Sequence, residues 1–80
     1  MTIQFNQIGV KTMANIIKPP EPKQIKDLRL SIKYTQEHAS SLLHVPARTY
    51  QRWEQGTSKM AYPIWELFLI KAQMVRDGHL

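Results

Sequence analysis

Eighty residues with eleven Lys and Arg against six Asp and Glu carry a formal charge of +5 and a pI near 9.8, a balance that favours a polyanionic partner such as nucleic acid or an anionic membrane surface. The chain contains no cysteine, which excludes disulfides and thiolate metal sites and suits a reducing cytoplasm. A core this small is marginal by itself, so a second subunit is the remaining reinforcement; no apolar run approaches the ~20 residues of a bilayer span, and the N-terminus lacks the pattern of a secretory signal.

Residues 1–17 carry Ile3, Phe5, Ile8 and Val10, a loose apolar set that fits a weakly ordered tail better than a short edge strand or a partner-binding arm. Met13-Ala14 would also serve as a translation start, leaving residues 1–12 dispensable. Lys18-Pro19-Pro20-Glu21-Pro22 is strong punctuation, because proline removes backbone donors and holds the chain extended. Residues 1–21 are therefore read as a tail or arm, and residues 22–80 as the folded domain.

Four helices follow. Pro22 suits a first helical position, and Ile25, Leu28 and Ile32 recur at helical spacing, predicting a helix over Pro22 to Lys33. Thr35 is a good N-cap for a second helix over Gln36 to Leu43, with Ala39, Leu42 and Leu43 facing inward. His44 and Val45 form a turn, and Pro46 starts a third helix that Gly56 terminates. Thr57 to Ala61 is a loop, and Pro63 opens a last helix that runs to Arg76. The fold class is all-α, a compact bundle of four to five helices containing a helix-turn-helix.

The third helix divides into two faces. Thr49, Tyr50 and Trp53 cluster on one side as core, while Ala47, Arg48, Gln51, Arg52 and Gln55 spread over the other. In a helix-turn-helix the second helix of the motif enters the major groove of DNA and the first touches the backbone. Arg48 and Arg52 suit guanine, Gln51 suits adenine, and Pro46 and Ala47 suit a thymine methyl. Thr35, Gln36, Gln55 and Lys59 are the candidate backbone contacts; Gln36 is alternatively placed to brace a recognition residue.

The last helix is apolar nearly all round, with only Glu66, Gln73 and Asp77 forming a polar stripe, so it needs burial on more than one side. Trp65, Phe68, Leu69, Ile70 and Met74 are the candidate residues for a homodimer interface. Catalysis finds no support: His38 and His44 lie on different sides of any helix, with no cysteine or carboxylate cluster to join them at a metal. No glycine-rich phosphate loop or nucleophile motif is present. The expectation is a protein without enzymatic activity, metal or cofactor.

The run Ile25-Lys26-Asp27-Leu28-Arg29, then Thr35-Gln36-Glu37, Val45, Tyr50, Arg52-Trp53-Glu54-Gln55-Gly56 and Lys59-Met60, resembles the Cro/cI-type (XRE-like) helix-turn-helix regulators. The ending Trp65-Glu66-Leu67-Phe68-Leu69-Ile70-Lys71-Ala72 is similar to a short phage and prophage subgroup that includes anti-CRISPR-associated repressors. The resemblance spans Pro22 to Met74. It implies a homodimer bound to an inverted repeat in a promoter, and it implies a structural pair between Arg29 and Glu54; both charges sit beside core residues in the sequence. Three positions depart from the pattern: His44 stands for the usual turn glycine, Ser40 for alanine, and Pro46 for a serine cap.

These readings converge on a cytoplasmic, dimeric, sequence-specific DNA-binding regulator, foremost an autorepressor of transcription, with double-stranded DNA as partner and no membrane role. The rivals are an antitoxin that also binds a toxin, and a helical protein-interaction module whose third helix is a plain solvated face.

Overall fold

Pro22 begins the first element of the fold, where its missing N–H deprives no acceptor, and the amide of Glu21 just outside donates to Gln24 Oε1 at 2.7 Å. The computed structural model describes residues 18–80, and within them the chain forms α1 (Pro22–Ser31), α2 (Gln36–Leu42), α3 (Ala47–Gln55) and α4 (Tyr62–Arg76), with no strand among the described residues. The expectations for residues 1–17, including the dispensable start and the weakly ordered tail, lie outside the described residues. Residues 18–21 were read with that tail, yet Pro20 is buried, so the end of the proline-rich stretch belongs to the folded unit.

Most helix ends are set by a residue with a left-handed backbone. Lys33 (φ 60°), His44 (φ 59°) and Gly78 (φ 80°) each follow a helix, and each is the turning point of the same paired bonds. At Lys33 the amide reaches Leu30 O while Tyr34 reaches back to Arg29 O; at His44 the amide reaches Ser41 O while Val45 reaches Ser40 O; Gly78 and His79 repeat the pattern onto Val75 O and Met74 O. These are Schellman closures, which satisfy carbonyls that a helix end otherwise leaves without donors. They explain why α1 and α2 end before Lys33 and Leu43, the limits predicted from apolar spacing: the spacing continues through residues that already belong to the closure. Similar one-residue differences occur at two starts, where Pro46 caps α3 from outside and Tyr62, ahead of Pro63, opens α4.

The core consists of Ile25, Ile32, Ala39, Leu43, Tyr50, Trp53, Met60, Phe68 and Ala72. Tyr50 is its centre, meeting Trp53 and Phe68 edge-on with ring centroids 6.0 and 6.1 Å apart, and Trp65 extends the chain of tilted rings onto Phe68 at 6.2 Å. Such edge-to-face pairs place the positive ring edge on the negative face and add to the gain from burial. Ser40, standing where alanine is usual in the resembling family, is buried and returns its hydroxyl proton to Glu37 O at 2.8 Å, so the change leaves no unsatisfied donor. Two polar links fasten α4 to the rest: Lys71 Nζ donates to Leu42 O at the C-terminal end of α2 (2.8 Å), and Arg76 Nη1 donates to Ser31 Oγ at the end of α1 (3.3 Å).

Candidate nucleic-acid interface

α3 is anchored from beneath and open above. Tyr50 and Trp53 bury its inner side, while Arg48, Arg52 and Gln55 are exposed and Ala47 and Gln51 are half-buried. Pro46 is exposed and supplies no side-chain cap, and Lys59 is exposed in the following loop. Among the described residues neither Arg48, Arg52 nor Lys59 enters an ion pair. The outward side thus offers three cationic groups and two amides that the fold itself does not consume.

One polar node sets the attitude of this helix. Arg29 Nε donates to Glu54 Oε2 at 2.7 Å and Arg29 Nη2 to Glu54 Oε1 at 3.1 Å, a bidentate pair whose side chains are only 11% and 5% exposed. The third arm of the guanidinium donates to Tyr34 O at 2.9 Å, and Gln36 Nε2 donates to Glu54 Oε1 at 3.0 Å. The carboxylate of α3 is therefore held from α1 and α2 together. Burial alone would push the Glu54 carboxyl up, but Arg29, Tyr50 and Gln36 favour its anion and hold it below the usual carboxylate range. The hydrogen bond to Glu54 raises Arg29 further above its ordinary value, although burial works against it. Burial first, then the neighbouring Glu54 carboxylate, pushes the Tyr50 hydroxyl up. That hydroxyl lies near enough to steady the carboxylate, yet it meets no acceptor at hydrogen-bonding geometry and is the one buried side-chain polar atom left unpartnered among the described residues. It is an electrostatic neighbour of the carboxylate, because charge acts over distances at which a directional bond does not.

The proposed backbone contacts divide. Gln55 and Lys59 lie on or beside the open side of α3. Thr35 is exposed, but its Oγ1 already accepts from His38 N at 3.0 Å as the N-cap of α2, and Gln36 is half-buried and bonded to Glu54. Both line an open groove with Arg29, Glu37 and Gln51.

The candidate dimer residues divide too. Leu69, Ile70 and Met74 are 40%, 54% and 38% exposed. Phe68 is fully buried, which corrects its assignment to an interface: its ring packs on Tyr50 and Trp65 of its own chain and has no surface to offer. Trp65 is half-buried against the same core and offers little more.

Three further residues, given no structural role by the sequence patterns, hold the elements around the site together. Met60, in the loop after α3, is fully buried, and Lys71 joins α4 to α2. Tyr34 contributes through its backbone carbonyl, for which a sequence carries no signal. Met60 had a signal of a kind, being the apolar residue of a polar loop. Among the described residues no group of His, Cys, Asp and Glu gathers to hold a metal ion, and no helix is long and apolar enough to cross a membrane. No protein-family profile and no curated protein sequence matches the chain.

Proposed function

We propose that this protein is a sequence-specific DNA-binding regulator of transcription, acting in the cytoplasm as a homodimer that represses a promoter, its own foremost. The observation that carries the reading is the division of α3: its inner side is locked by Tyr50, Trp53 and the Arg29–Glu54 pair, while Arg48, Arg52 and their amide neighbours stand outward without intramolecular ion pairs. Fold stability gains little from leaving two arginines unpaired on a rigid helix, whereas a polyanion gains from meeting them. The guanidinium fork matches both a phosphate and the paired acceptors of guanine. α2, the tight turn at His44 and α3 supply the helix, turn and helix that such a reader uses. The second copy is supported by the exposed apolar side of α4.

Selection of bound sequences from random duplex DNA tests the reading, and a two-fold symmetric site is expected. Arg48→Ala and Arg52→Ala should keep the helical content and melting temperature of the parent while losing about tenfold or more in affinity, the weight of one bidentate base contact. Variants that stay folded and bind as the parent does would return α3 to the status of a plain solvated face. Affinity should also fall with salt, at a log-log slope of about −0.9 per phosphate neutralised.

A further inference from the structure

We propose that Gln36 is a positioning residue for α3, acting through Glu54. The inference rests on the proposed DNA-binding role and adds a division of labour within it.

The geometry at Gln36 is specific. A carboxylate only accepts hydrogen bonds, so the side-chain nitrogen and not the oxygen of Gln36 must face Glu54, and the two lie 3.0 Å apart. Glu54 Oε1 thereby accepts from α1 through Arg29 Nη2 and from α2 through Gln36, while Oε2 accepts only from Arg29. Arg29 holds the carboxylate from the side of α1 alone. Gln36 supplies the second direction of restraint, and three helices meet at one side chain.

Glu37 is exposed in the first turn of α2 and lines the same groove as Thr35 and Gln36, so it already provides the negative charge that a helix start favours and repels a phosphate arriving there. The Thr35 oxygen accepts from His38 N, which leaves its hydroxyl proton free to donate. Arg48, Arg52 and Lys59 are exposed, enter no ion pair among the described residues and are free to meet phosphates. Placement of α3 matters more for base edges than for phosphates, since paired hydrogen bonds to bases tolerate small displacements poorly while charge attraction hardly notices them.

Gln36→Met keeps the length of the side chain and removes its amide. In the DNA-free variant, amide chemical shifts should move along Ala47 to Gln55 and at Arg29 while those of α4 stay in place. Affinity for the selected site should drop about tenfold, and for a random duplex about twofold or less, as expected when a hydrogen bond to a charged group orients rather than binds. The slope of affinity against salt should be unchanged. Equal losses on both duplexes with α3 shifts unmoved would overturn the proposal and make Gln36 a direct backbone contact. Should the parent bind no duplex at all, the proposed function fails, while the chemical shifts still decide whether Gln36 sets α3. If the Met variant does not fold, Gln36→Asn, one methylene short of Glu54, takes its place with the same expected results.

Discussion

Arg29 and Glu54 join α1 to α3 through two parallel hydrogen bonds of 2.7 and 3.1 Å, and neither side chain has enough exposed surface to be rehydrated in place. Removing one partner strands the other charge. Arg29→Met should therefore cost about 3–5 kcal/mol in urea unfolding, whereas replacing both residues by apolar ones of similar volume should recover most of that loss. A single variant as stable as the parent would show that water reaches the pair.

The pH dependence of stability follows from the same node. Glu54 titrates below its ordinary value near 4.5 when folded, because burial is outweighed by Arg29, Tyr50 and Gln36. The unfolded chain then takes up the proton first as pH falls. This contribution is complete above about 4.5 and is lost as pH drops through the lower folded value.

Tyr50 behaves in the opposite sense. Burial raises it above its ordinary 10.0, so the unfolded chain releases its proton first and stability declines as pH climbs past that value. Tyr50→Phe should remove this alkaline decline, and its stability at neutral pH should match or exceed the parent's by up to about 1 kcal/mol, because the lost hydroxyl has no partner. Denaturant titrations of both proteins at pH 7 and above pH 10 check the two limbs. A large loss at neutral pH would mean that the hydroxyl makes a bond to Glu54 in solution.

The two sides of α4 predict two different phenotypes. Phe68→Ala removes the buried ring that joins Tyr50 to Trp65 and should cost about 3–5 kcal/mol, with loss of folded protein at modest denaturant. Ile70→Glu, at a position 54% exposed, should leave unfolding of the separated chain almost unchanged and shift sedimentation from dimer toward monomer. A parent that sediments as a monomer across the working range, or an Ile70→Glu dimer as tight as the parent's, would remove α4 from the interface.

His44 holds a left-handed backbone at φ 59°. A side chain there costs on the order of 1–2 kcal/mol relative to glycine, part of which glycine returns through the freedom it gains when unfolded. His44→Gly should raise the stability by about 0.5–1 kcal/mol, read as a higher melting temperature. A lower one would assign the imidazole a contact that offsets its backbone strain.

Much of the helical layout was legible because local chemistry marked it. Pro22, Thr35 and Gly56 punctuate helix ends for reasons confined to one turn of chain, and the positive φ at His44 was foreseeable from its place in the turn. The exposure of α3 was legible as well, since Arg48 and Arg52 fall a full turn apart on the side away from Tyr50 and Trp53. The sides of α4 were not. When Leu67, Phe68, Leu69 and Ile70 follow one another, helical spacing offers every direction an apolar claimant, and only the packing of Tyr50 chooses Phe68. The direction of Gln36 was equally hidden, because it depends on the crossing of α2 and α3 and on nothing within α2 itself.

The outward residues of α3 have a consequence for how such a protein can change over generations. Arg48, Arg52 and Lys59 enter no ion pair among the described residues, while the pairs and rings that hold the helix lie on other positions. Residues on the outward side of α3 are thus uncoupled from residues that decide whether the chain folds. A library randomised at 48, 51, 52 and 55 should stay folded almost throughout, so new preferences can be sampled by single steps without first acquiring compensating changes in the core.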